Sequence, residues 1–177
     1  MNDIYYWDSC VFLSYINGTP SRLPIIDDLF SRARKTPPEF TIVTSVVSIS
    51  EVAFAITEKQ RIHLDEDMEG NIDSLWRDRK AIRLAEDHEL IQRGARQLIR
   101  TAVSNGWALK PMDAIHLATA RSIKATQFHT YDLKLQKFAA QIAMPINPPD
   151  SEQGVLQMLP EDAIAAEPCG MIRLVVD

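Results

Sequence analysis

The chain has 177 residues, 46% apolar and 24% charged, which fits one domain with a sizeable core and excludes a disordered or fibrous class. Its two cysteines, Cys10 and Cys169, exclude a disulfide framework and a cysteine-based zinc site, and read as reduced thiols of a cytoplasmic protein. The net charge of −5 counts against passive binding of a nucleic-acid backbone, but less against a metal-dependent nuclease whose acids are neutralised by cations.

The leading Met1-Asn2-Asp3 carries no basic region ahead of an apolar stretch, so no secretory signal is expected. No apolar run approaches the ~20 residues of a membrane span. Ile4-Tyr5-Tyr6-Trp7 is an apolar, aromatic run that predicts a first strand ending at Asp8, with Tyr6 and Trp7 in the core. Val11, Phe12, Leu13, Tyr15 and Ile16 then predict a short buried helix stopped at Asn17-Gly18. Residues 21–35 read as an amphipathic helix with Pro24 early and Arg32, Arg34 and Lys35 late, where cations complement the helix dipole. Pro37-Pro38 breaks the chain before a second strand, residues 40–45.

A helix is expected over residues 48–61, with Val52, Ala53, Ala55 and Ile56 inward. The charged stretch 63–80 holds Leu75 and Trp76, which suggest a short helix at one edge. Residues 82–85 form a plausible third strand, ending at Glu86-Asp87. Ile91, Ala95, Leu98, Ile99, Ala102 and Val103 recur at helical spacing and place a helix over 88–104, stopped by Asn105-Gly106. Its other side carries Arg93, Arg96 and Arg100, which suit RNA phosphates, a solvated face or a dimer surface equally well. Pro111 suits a first helical position, and Ile115, Leu117, Ala118 and Ala120 make the helix it opens too apolar to be solvated. Residues 127–131 read as a fourth strand ended by Asp132, residues 133–142 as helical, and Asn147-Pro148-Pro149 as the close of the regular part. The tail is Pro-punctuated, with a possible strand at 171–176.

Alternating strands and helices imply a three-layer α/β domain with a mainly parallel sheet covered on both faces. In such a fold every strand C-terminus and every following helix N-terminus lies on one rim, where ligands bind. Asp8, Glu51, Asp113 and Asp132 are all expected on that rim. Each has a plain explanation: Asp8 and Asp132 as N-caps, Glu51 as the end of a Ser48-x-x-Glu51 capping box, Asp113 as a complement to its helix dipole. Asp87 reads as a cap and Glu86 as an outside candidate. The joint placement favours a common purpose. Two carboxylates ~5 Å apart at an effective dielectric of ~20 repel by roughly 3 kcal/mol, so four together call for a counter-charge. Oxygen-only ligands suit a hard cation, Mg²⁺ or Mn²⁺, which can activate water and clamp a phosphodiester.

These residues resemble the PIN-domain ribonucleases, the fold of VapC-type toxins. The resemblance lies in Tyr6-Trp7-Asp8-Ser9, in Thr44 to Ala55 with Glu51, in the block from Pro111 through Asp113 to Ala118, and in Thr130-Tyr131-Asp132. It implies a nuclease domain over 1–147 with a C-terminal extension, 148–177, packing on or swapping from it. It further implies a Mg²⁺- or Mn²⁺-dependent endoribonuclease with metal-site acids Asp8, Glu51, Asp113 and Asp132, supported by the hydroxyls of Ser9 and Thr130. An RNA substrate, an antitoxin partner and a homodimer go with that reading. Three features depart from the family: Cys10 stands where a small polar residue is common, the charged stretch 63–80 is longer than usual, and the tail after Asn147 has no counterpart in compact toxins. His116, alone one turn beyond Asp113, reads as structural before it reads as a substrate contact. The rival readings are a non-catalytic RNA-binding or assembly module of the same fold, and phosphoryl transfer through an aspartyl phosphate. The second wants a lysine after a strand, which the sequence does not offer.

Overall fold

The computed structural model describes residues 2–150. Five parallel strands form one sheet: β1 (Asp3–Trp7), β2 (Phe40–Ser45), β3 (Ile82–Ala85), β4 (Gln127–His129) and β5 (Ile146–Asn147), in the order β3-β2-β1-β4-β5. The chain steps outward from β1 to β2 and β3, then returns to the other side of β1 with β4 and β5. The crevice between β1 and β4 is therefore the topological switch point, the usual ligand position in an open parallel sheet.

The pleat of β1 divides the core. Tyr5 and Trp7 face one layer, built with Phe12 of α1 (Ser9–Ile16), Ile26 and Phe30 of α2 (Leu23–Ala33) and the Ile72, Leu75 and Trp76 side chains of α5 (Glu66–Arg77). Tyr6 faces the other, with Ile91, Ala95 and Leu98 of α6 (Glu89–Ser104) and the apolar side chains of α7 (Pro111–Ser122). Tyr6 and Trp7 are both fully buried, as their place in a central strand requires. The charged stretch after residue 63 thus serves as a twelve-residue amphipathic helix, α5, whose apolar side completes the first layer. Gly94 lets α6 lie close to α7: a Cβ there would come within 3.4 Å of the Ala118 Cβ and 3.2 Å of the Arg121 guanidinium.

Four expectations are corrected. Residues 48–61 do not form one helix; α3 (Val47–Glu51) and α4 (Ile56–Arg61) are separate, so Glu51 closes a helix instead of opening one. The Ser48-x-x-Glu51 capping box does not form, because the Glu51 carboxylate is bonded to Ser9 and His116 and the Ser48 hydroxyl lies 2.7 Å from that of Thr44. Asp87 does not cap α6: His88 holds that position without a side-chain bond, and Asp87 accepts from Gln92. The fourth strand stops at His129 and does not reach Tyr131. Residues 133–142 are helical as expected, as a 3₁₀ helix (Leu133–Phe138) and α8 (Ala139–Ile142), which lead into a fifth strand. The 171–176 strand and the tail beyond residue 150 lie outside the described residues.

Candidate active site

Asp8 follows β1 directly and caps α1: its Oδ1 accepts the Ser9 N–H at 2.7 Å. The same carboxylate is held from the residue after β4: the Thr130 hydroxyl donates to Oδ2 at 2.7 Å and itself accepts the Asp132 N–H at 3.0 Å. Cys10 fills the place of the small polar residue. Its thiol donates to Asp8 Oδ2 at 3.3 Å while its sulfur accepts the Tyr131 N–H at 3.2 Å. The departure at Cys10 therefore leaves the support of Asp8 in place, through a softer donor. Asp132 caps the 3₁₀ helix by accepting the Lys134 N–H at 3.0 Å. The capping explanation thus holds for Asp8 and Asp132, and both carboxylates also border the crevice.

Asp113 sits in the first turn of α7, behind Pro111, on a helix buried without interruption from Ala114 to Ala120. A helix N-terminus alone would favour the ionised acid. Here the carboxyl is pushed up to about 6 by burial and then by the charge of Asp8; Lys110 and His116 oppose the shift and Asp132 adds to it. Asp113, Asp8 and Asp132 therefore share one negative potential across the switch point.

Glu51 is held differently. Its Oε2 accepts from His116 Nε2 at 2.6 Å and from the Ser9 hydroxyl in a very short contact. Burial pushes this carboxyl up, but the hydrogen bond and charge of His116 and the Ser9 bond outweigh it and leave it below its ordinary value. Burial likewise disfavours a charged His116, yet the Glu51 bond and the charges of Asp8, Glu51 and Asp113 raise its pKa overall. The His116 Nε2 lies 3.7 Å from Asp8 Oδ1, so a single ring nitrogen stands between the two acids.

Reading the sequence missed this part of the site. The available signal was spacing: His116 follows Asp113 by three residues and so shares its helix face. Glu86 follows β3, separated from β1 by β2, and does not figure among the charges acting on Asp113. A cavity of about 450 Å³ lined by Tyr5, Arg32, His129 and Pro148 lies elsewhere and contains none of the four acids.

Among the described residues no three His, Cys, Asp or Glu side chains stand in the arrangement of a formed metal site. The donor set nevertheless fits a hard divalent cation. All candidate ligands are carboxylate oxygens, and the ionised Asp113, disfavoured first by burial and then by the charge of Asp8, is a form that such an ion would favour. No helix among the described residues is long and apolar enough to cross a membrane.

The sequence from residue 5 to residue 141 matches the PIN domain, and the chain belongs to that family. No curated protein matches it. Its fold is similar to that of VapBC2 from Rickettsia felis bound to a DNA fragment from their promoter, at a TM-score of 0.58 and 14% identity over 81% of this chain and 98% of that one. VapBC-1 from nontypeable Haemophilus influenzae gives a TM-score of 0.58 and 16% identity over 82% and 97%. VapC20 of Mycobacterium tuberculosis, a Sarcin-Ricin loop cleaving toxin, gives 0.56 and 14% over 77% and 94%.

Proposed function

We propose that the chain is a divalent-metal-dependent endoribonuclease, hydrolysing RNA phosphodiester bonds as the toxin of a toxin–antitoxin pair. The observation that carries this reading is the shared negative potential of Asp8, Asp113 and Asp132 at the β1–β4 crevice, with Asp8 fixed by Thr130 and Cys10. Asp8, Glu51, Asp113 and Asp132 would hold Mg²⁺ or Mn²⁺. The bound ion would supply an activated water and charge neutralisation at the scissile phosphate.

The protein's own groups have distinct tasks in this reading. Thr130 and Cys10 hold Asp8 Oδ2, and the Ser9 N–H holds Oδ1, so that carboxylate has little freedom to follow solvent. Ser9 also donates to Glu51, which ties the first and second acids of the set together. Asp132 is placed by its own cap and by the Thr130 hydroxyl. Preorganised carboxylates of this kind lower the cost of gathering like charges around the reacting phosphate. No protein nucleophile is needed.

An antitoxin protein that covers the rim and a second copy of the chain are the partners this reading implies; the structural relatives named VapBC favour the first. The test is cleavage of single-stranded RNA in Mn²⁺ or Mg²⁺ and in chelator. Cleavage is expected only with the metal, and Asp113→Asn is expected to abolish it. A variant that cuts as fast as the parent would remove the catalytic reading and leave a non-catalytic RNA-binding or assembly module of the same fold.

A further inference from the structure

We infer that His116, set from behind by Tyr6, is a positioning residue for Glu51, holding one carboxylate oxygen so that the other is presented to the cation site; this rests on the metal-dependent reading above. Both ring nitrogens of His116 are engaged, and the residue is 1% exposed. Nδ1 lies 2.6 Å from the Tyr6 hydroxyl. That hydroxyl oxygen accepts the Ser45 N–H at 3.1 Å, which leaves its own proton to be aimed at Nδ1. A neutral ring so placed carries its N–H on Nε2, and a charged ring carries one there as well, so Nε2 donates to Glu51 Oε2 in either form.

A buried histidine is more often a satisfied core residue than a working one. Three features separate His116 from that case. First, the bonds run from the core outward, from β1 through the ring on α7 to an acid on α3. Second, Glu51 ends a five-residue helix and its side chain is 21% exposed, so its own backbone gives the carboxylate little reason to face Asp8 instead of water. Third, His116 and Ser9 both bond Oε2, and no described residue donates to Oε1. A carboxylate oriented through one oxygen and free at the other is the form in which outer partners set a metal ligand.

The test is Mn²⁺ binding by calorimetry at pH 7.5, with melting curves in chelator to establish that each variant is folded. His116→Ala is expected to weaken Mn²⁺ binding about 10- to 100-fold, the range for loss of an outer partner of a metal ligand. His116→Gln, whose amide nitrogen can take the place of Nε2, is expected to stay within about threefold of the parent, because it keeps the donor to Glu51. In a Glu51→Gln background, His116→Ala is expected to cost no more than about twofold further, since the histidine acts through that acid. Should His116→Ala fail to fold, Tyr6→Phe carries the test: it removes only the hydroxyl and should weaken Mn²⁺ binding several-fold in the parent but not beside Glu51→Gln. Equal Mn²⁺ affinity in a folded His116→Ala (or, in its place, Tyr6→Phe) and the parent, or a full additive loss beside Glu51→Gln, would overturn the positioning role alone. A parent chain that binds no Mn²⁺ would overturn the metal-dependent reading together with it.

Discussion

Asp113 and Glu51 belong to one rim and carry the same kind of charge, yet the fold treats them in opposite ways. Asp113 stands at the mouth of a buried helix with Asp8 and Asp132 across from it, and its proton is held more tightly than in water. Glu51 has a partner already, the His116 ring, and its proton is held less tightly. One acid is a cost to the fold when it is ionised. The other contributes to the fold in that same state. Residue type therefore does not tell which members of an acidic set are held in readiness and which are supported; their partners do.

The largest effect expected from this contrast is on activity. Asp113→Asn and Asp8→Asn are each expected to lower Mn²⁺-dependent RNA cleavage by ~100-fold or more, comparable to the loss of a group that stabilises transition-state charge. Single-turnover assays at saturating Mn²⁺ would check this, and a loss under tenfold in both would contradict the reading of the crevice.

Stability in chelator should separate the two acids by sign. The Asp113 pKa is raised from 3.8 to about 6, so its favourable contribution is present below the unfolded value and is lost as pH rises through the folded one. At pH 7.5 the ionised acid then costs the metal-free fold roughly 2–3 kcal/mol, and Asp113→Asn should recover much of it. The gain should shrink to nothing as pH falls from about 6 toward 3.8. Urea melts at several pH values would show whether the variant is instead less stable, as a dipole-complementing role would require.

Glu51→Gln should do the reverse and destabilise by about 1–3 kcal/mol, the cost of breaking a buried, charge-assisted bond. Its depressed pKa means that the stabilisation is present above the unfolded value of 4.5 and fades as pH falls below it. The raised pKa of His116 means that its share is full below 6.5 and fades as pH rises through the folded value. The pair thus helps most between those two values, the interval in which Asp113 turns from neutral to costly. A Glu51→Gln penalty that is the same at pH 5.5 and pH 9 would mean that the pairing does not carry it.

The smallest effect concerns Cys10. Serine offers the same donor and acceptor, so Cys10→Ser should change stability by under about 1 kcal/mol, while Cys10→Val leaves the Tyr131 N–H without its acceptor and should cost about 1–3 kcal/mol. A larger loss in the serine variant would show that sulfur's volume, more than its bonding, matters beside Asp8.

The strand boundaries of β2 and β3 and the span of α6 were legible because their patterns are local: aromatic and β-branched residues in β2, apolar residues alternating with Arg83 in β3, and a 3.6-residue repeat for the helix. The positions of Asp8 and Asp132 ahead of their helices and of Asp113 in a first helical turn were legible for a similar reason, since each adjoins a strong signal. Glu51 was placed beside the right strand but with the wrong partner. Its Ser48-x-x-Glu51 spacing fits a capping box, and only the approach of α7 offers the carboxylate something better. The two-residue β5 gives no periodicity to find, because its place is set by pairing with β4. The Tyr6–His116–Glu51 chain joins residues 110 and 65 positions apart, a distance over which spacing rules carry no information.

The position of β1 at the centre of the sheet has a consequence for synthesis. The Thr130 hydroxyl that secures Asp8 is translated 122 positions after it, and β4 must dock beside β1 before the two meet. A chain still emerging from a ribosome therefore carries Asp8 and Glu51 without the strand that completes their surroundings. On the proposed ribonuclease reading, the site would stay incomplete until nearly all of the described domain had been made.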